Sequence, residues 1–133
     1  MAKFIQLSEA TYLAIHSLAL LVRSRQLLNV KKMAEMTGSS EFHLSKVMQL
    51  LEKGRLVKSV RGPKGGFTLS VEPQQITLLS VYEMIEGKLT PEDCPFGKSE
   101  CPFGNCLLGA AMTRLAKNFQ KFLKKTTLAD LAE

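Results

Sequence analysis

Thr37-Gly38-Ser39-Ser40-Glu41-Phe42-His43-Leu44-Ser45-Lys46-Val47-Met48-Gln49-Leu50-Leu51-Glu52-Lys53-Gly54 is the stretch that decides the fold. Gly38 suits the left-handed residue that closes a helix, and residues 31–36 before it read as that helix. Ser39 or Ser40 then caps the next helix, since a serine hydroxyl can accept from the open amides of a first turn. That helix runs to about residue 53 and stops at Gly54. Leu44, Val47, Met48 and Leu51 recur at three-four spacing and form its buried stripe. Phe42, Ser45, Lys46, Gln49 and Lys53 fall on the opposite side. Helix, glycine-containing turn, helix is the helix-turn-helix arrangement.

Upstream, Ser8 caps a helix over residues 9–23, with Leu13, Ala14, Leu18, Leu21 and Val22 on its apolar side. Downstream the period changes. Val57, Val60, Phe67 and Leu69 sit in β-compatible segments around Arg61-Gly62-Pro63-Lys64-Gly65-Gly66, which reads as a hairpin with a basic tip. Thr77 caps a helix over residues 78–86. A cysteine-containing loop follows, and the chain turns helical again over residues 107–125. There Leu108, Met112, Leu115, Phe119 and Phe122 alternate four-three-four-three, the seam of a coiled coil. Such a stripe either packs on the chain's own core or pairs with a second copy. The small core requirement of a winged helix favours the second copy and hence a homodimer. Thr127 with Asp130 caps a last turn. The expected fold is mainly α: a winged helix-turn-helix over residues 1–77, then a connecting helix, cysteine loop and dimerisation helix over residues 78–133.

The chain has 133 residues and a net charge of +6. Residues 1–70 hold eleven Lys and Arg against four Asp and Glu, whereas residues 71–133 hold seven against eight. The positive charge therefore belongs to the half that carries the helix-turn-helix, as contact with phosphates requires. No apolar run is long enough to cross a bilayer, and the N-terminus lacks a signal-peptide pattern, so the expected location is the cytoplasm. No nucleophile–base arrangement or phosphate-binding loop is present to suggest an enzyme or a small-molecule substrate.

In a helix-turn-helix the start of the second helix reaches base edges in the major groove. Here those residues are Ser39, Ser40, Glu41, Phe42 and His43. Serine hydroxyls donate or accept, and Glu41 can accept from a cytosine amino group. Lys46 and Lys53 suit phosphates, and Arg61 and Lys64 suit the adjacent minor groove or its phosphates. A two-fold dimer would read a palindromic operator in double-stranded DNA. The competing reading, a solvated helix face and an ordinary turn, explains neither the hairpin behind the helix nor the confinement of the charge.

All three cysteines, Cys94, Cys101 and Cys106, lie within thirteen residues. An odd number cannot pair off as disulfides, while three thiolates plus one further ligand complete a four-coordinate metal or cluster site. The spacing is not that of a zinc ribbon. A reduced loop, or one disulfide with a spare thiol, stands as the alternative.

Arg61-Gly62-Pro63-Lys64-Gly65-Gly66-Phe67, placed between the helix-turn-helix and the three-cysteine loop, resembles the winged-helix iron–sulfur regulators of the IscR and NsrR type. The resemblance spans residues 7–131. It implies a homodimer built on the long C-terminal helix, a 2Fe–2S or 4Fe–4S cluster in each subunit, and transcriptional control answering to iron, oxidants or nitric oxide. Repression is the default expectation for a chain with no evident activating surface. Some relatives carry a histidine three residues beyond the third cysteine; Gly109 stands there in this chain. Others take a ligand from the first helix of the partner subunit. That pattern makes His16 the first candidate, with Glu9 and Tyr12 behind it. Two rivals remain: a small iron–sulfur electron carrier, and a DNA-binding regulator that uses zinc or a thiol–disulfide switch.

Overall fold

A computed structural model of the chain describes residues 7–90, 101–104 and 107–132. Six helices and one hairpin follow in the order α1 (Glu9–Ser24), α2 (Val30–Thr37), α3 (Glu41–Lys53), β1 (Val57–Val60), β2 (Gly66–Leu69), α4 (Leu78–Glu86), α5 (Gly109–Lys125) and α6 (Leu128–Leu131), with a 3-10 turn at Pro73–Gln75. The architecture is a winged helix-turn-helix extended by three helices, and every helix start but that of α5 carries a local side-chain cap. The Ser8 hydroxyl accepts from the Thr11 amide, Ser40 from the His43 amide and Thr77 from the Ser80 amide. Thr127 and Asp130 form a reciprocal capping box. Gly38 closes α2 in the left-handed region at φ 74°.

Three starts and faces differ from the sequence expectation. α2 begins one residue early, because the Asn29 side chain caps it by accepting from the Lys32 amide at 2.7 Å. α5 begins at Gly109 rather than 107, with no side-chain cap to fix an earlier start. The α5 stripe is also divided. Ala116 and Leu123 are buried, and Phe119 meets Tyr82 of α4 edge-on at 5.8 Å between ring centroids. Leu115 and Phe122, by contrast, are 56% and 53% exposed. α5 thus packs on its own core with one face and offers a second apolar face to solvent.

The core forms where the helices converge. Leu18 of α1, Met33 of α2, Leu44, Met48 and Leu51 of α3, Val81 of α4 and Leu128 of α6 are fully buried together. Each such side chain contributes about 1.5–3 kcal/mol of transfer free energy. The C-terminal segment is locked into this core by a short antiparallel bridge. The Leu78 amide donates to the Thr126 carbonyl, and the Leu128 amide to that of Ile76, both at 2.9 Å.

Ser17 lies at 0% exposure in α1, and its hydroxyl has no hydrogen-bond partner among the described residues. A buried unsatisfied hydroxyl costs about 1–3 kcal/mol. Ser17→Ala is therefore expected to stabilise the fold by about 1 kcal/mol, raising Tm by about 4 °C in a thermal melt.

Candidate nucleic-acid interface and cysteine site

The wing is held in place by backbone, and its glycines are the reason it can be. β1 and β2 pair antiparallel with Val60 opposite Gly66. The sheet gains a third edge from Leu28, in the α1–α2 connection. The Phe67 amide donates to the Leu28 carbonyl at 2.8 Å, and the Leu28 amide returns the bond at 3.2 Å. A Cβ on Gly66 would sit 2.7 Å from the Leu28 carbonyl, and one on Gly65 only 2.0 Å from the Val60 carbonyl oxygen. Both positions require glycine because backbone passes too close for any side chain. A further tie sets the wing against α3: the Ser59 hydroxyl donates to Glu52 at 3.0 Å.

Along α3, Glu41, Phe42, Lys46 and Lys53 are exposed, as are Arg61 and Lys64 at the wing tip. Ser40 is exposed while serving as the cap, and the Ser39 and Thr37 hydroxyls hydrogen-bond at 2.8 Å. His43 is partly exposed at the edge of this surface, with Nδ1 3.7 Å from Glu9 of α1. Sequence reasoning missed the Glu52–Ser59 tie and two arginines, Arg25 and Arg55, whose φ values of 54° and 64° are left-handed. A non-glycine residue there costs about 1–3 kcal/mol. Arginine is not among the residue types that announce such a conformation.

Glu9, Tyr12 and His16 line one side of an open groove of ≈ 690 Å³, with Met36 of α2 and Leu131 of α6 also along its wall. His16 Nδ1 lies 2.6 Å from the Tyr12 carbonyl. A carbonyl only accepts, so Nδ1 is the donor in this contact. Metal-binding histidines are commonly oriented in this way.

Cys101 is exposed and begins a turn in which the Gly104 amide donates to its carbonyl at 3.0 Å. Pro102 presets the second position of that turn, and Gly104 takes φ 78°. Cys94 and Cys106 lie outside the described residues. Among the described residues no three His, Cys, Asp or Glu side chains come together as a metal site. The entrance to the cysteine segment is anchored. Leu89 is buried, its amide donates to Glu83 at 3.0 Å, and its carbonyl accepts from Gln120 of α5 at 3.4 Å.

A basic-tipped hairpin wing fixed behind an exposed recognition helix defines a DNA-binding transcriptional regulator. The chain belongs to the Rrf2 family of iron-dependent transcriptional regulators, whose family model matches residues 7–133. It is 34% identical over 128 residues to a protein of Aquifex aeolicus (strain VF5) named as an HTH-type transcriptional regulator, covering 93% of this chain and 89% of that one. It is 33% identical over 99 residues to the transcriptional regulator IscR of Yersinia pestis, covering 74% of this chain and 60% of IscR. Among solved structures it is similar to CymR, the global cysteine regulator of B. subtilis, at TM-score 0.81 and 26% identity, with 96% of each chain covered. It is also similar to T. potens IscR, at TM-score 0.68 and 29% identity, with 96% of this chain and 85% of that one covered. These relatives are named as regulators and not as enzymes. No helix among the described residues is long and apolar enough to cross a membrane.

Proposed function

We propose that the chain is a homodimeric repressor whose operator affinity is set by an iron–sulfur cluster held by Cys94, Cys101 and Cys106. The observation that carries this reading is the confinement of every cysteine to one segment between α4 and α5. Three thiolates are a soft donor set that suits such a cluster. His16 of the partner subunit is the first choice for the fourth ligand, supported by its exposed position and by the contact that holds its Nδ1 on the Tyr12 carbonyl. Glu9 and Tyr12 are the alternatives in the same groove. When bound, the cluster supplies a centre whose charge and ligation respond to oxidants, nitric oxide or iron supply.

The chain's own contacts offer a route from that segment to DNA. Glu83 and Gln120 fix its entrance at Leu89. Glu86, at the end of α4, accepts from the Ser8 amide at 3.2 Å, where α1 begins. The next residue, Glu9, touches His43 of the recognition helix. A pair this exposed adds little stability; its interest lies in what it joins. Any pull on α1 at Glu9 or His16 is felt at α3. Exposed apolar side chains at the start of α5 and along it, Leu108, Leu115 and Phe122, recur every seven residues and support pairing with a second copy.

The test is duplex binding by anaerobically purified protein, with and without its iron, across a salt series. Affinity is expected to differ between the two forms by about 5- to 150-fold. In the tighter form, Lys46→Ala and Arg61→Ala each weaken binding about three- to ten-fold and lower the salt slope by about 0.9, with Tm unchanged. Equal affinity with the iron intact and stripped sinks the switch; wild-type affinity in both variants sinks the docking. The likeness to a cysteine regulator and the exposure of Cys101 support one second reading, a thiol–disulfide switch. A colourless, iron-free preparation whose affinity responds to reductant would establish it instead.

A further inference from the structure

We infer that Phe42 is a specificity residue that reads the C5-methyl group of thymine in the major groove. This rests on the docking of α3 proposed above and goes beyond it by naming the base chemistry. Phe42 is the second residue of α3, in the turn that reaches base edges in a helix-turn-helix, and its side chain is 73% exposed. Its exposed neighbours on the same side, Lys46, Gln49 and Lys53, are all polar or charged. The Lys46 ammonium lies 4.5 Å from the ring centroid. One face of the ring is thus engaged by a cation, which steadies the ring and leaves its edge and other face outward.

Base edges in the major groove are donors and acceptors with one exception. The thymine methyl is the apolar group displayed there, and phenylalanine is a side chain that meets it. An aromatic ring has nothing to donate to phosphate and is only a weak acceptor for an amino group, so against any other base it would chiefly displace water from polar atoms. Placing it over a thymine methyl removes apolar surface from water on both partners. Lys46, held beside it, then lies close to the neighbouring phosphate or guanine edge.

The test uses the full chain. A duplex enriched from a randomised pool is resynthesised with deoxyuridine replacing thymine, one position at a time, which deletes the methyl and keeps the pairing. At one thymine or more, wild-type affinity is expected to fall about four-fold, the factor that corresponds to burying one methyl group. Phe42→Ala should lose a similar factor on the thymine duplex and show no further loss on the deoxyuridine duplex. The ring is exposed, so its removal leaves the fold intact, and an unchanged melting curve checks this. The inference is overturned if the wild type binds thymine and deoxyuridine duplexes alike, or if Phe42→Ala keeps the full penalty. Lys46→Ala and Arg61→Ala, measured on both duplexes, separate the two layers. If they bind as the wild type does, the docking of α3 itself has failed; if they weaken on both while deoxyuridine has no effect, only the thymine contact has.

Discussion

Cys101→Ala, purified without oxygen, is expected to be colourless, iron-poor and fixed in the DNA affinity of the stripped wild type. Cys94→Ala and Cys106→Ala should do the same. With three thiolates among the proposed ligands, each substitution removes one of the soft anionic donors on which the site depends, and no other cysteine in the chain can replace it. The effect should be nearly total for iron content and about 5- to 150-fold for operator affinity, the range of ordinary allosteric coupling. Because Cys101 is exposed, its truncation removes no core packing, so a far-ultraviolet spectrum like that of the wild type is part of the expected result. Visible absorption retained in all three variants would remove the cysteine segment from the ligand set. His16→Ala adds the finer test: spectral change in that variant supports the ligand from α1, and an unaltered spectrum transfers the question to Glu9 and Tyr12.

Much of the fold was legible because its signals are local. Ser8, Ser40 and Thr77 announce helix starts by a hydroxyl three residues ahead of an open amide, and Thr127 with Asp130 does so reciprocally. The glycines of the wing were legible as a turn. Their second role, clearing space for the Leu28 and Val60 backbones, was not, because it depends on segments that meet only in the folded chain. The bridge from Leu28 to Phe67 joins residues far apart with no alternating pattern around Leu28, so nothing in the sequence marks it as a strand. The periodicity of α5 likewise says that a helix has apolar faces, without saying which one its own chain covers.

The candidate site was read less evenly. Glu9, Tyr12 and His16 were predictable as one helical face, and that face does line a groove. The contact that holds His16 Nδ1 on the Tyr12 carbonyl becomes visible only in three dimensions. His43 is a different case. Its place at the start of α3 suggested a base contact, and the folded chain adds a second neighbour, Glu9 of α1, at 3.7 Å. A side chain at the edge of a recognition surface has two possible partners, and spacing along one helix cannot choose between them.

Gly65→Ala should abolish productive wing contacts, lowering duplex affinity at least about ten-fold while leaving the helical core intact. The added Cβ would meet the Val60 carbonyl oxygen at 2.0 Å and its carbon at 2.9 Å. Backbone atoms cannot swing aside as a flexible side chain can, so the hairpin must open. The pair between Val60 and Gly66 would be the first to go, and the bond from the Gly65 amide to the Gly62 carbonyl would go with it. Arg61 and Lys64 ride on that turn, so both cations leave their positions together. Gly62→Ala provides the internal scale. Nothing lies within 4 Å of its added Cβ, but φ of 112° is strained for alanine, so the wing should be weakened rather than forced apart. The expected order of affinity is wild type, then Gly62→Ala, then Gly65→Ala, with the salt slope of Gly65→Ala lower by up to about 2 as two phosphate contacts are lost. Thermal melts should show only a few degrees of change in either variant, because the buried side chains of α1, α3 and α4 are untouched. Wild-type affinity in Gly65→Ala, with the clash present, would mean that the hairpin tip does not reach the duplex and that α3 alone holds it.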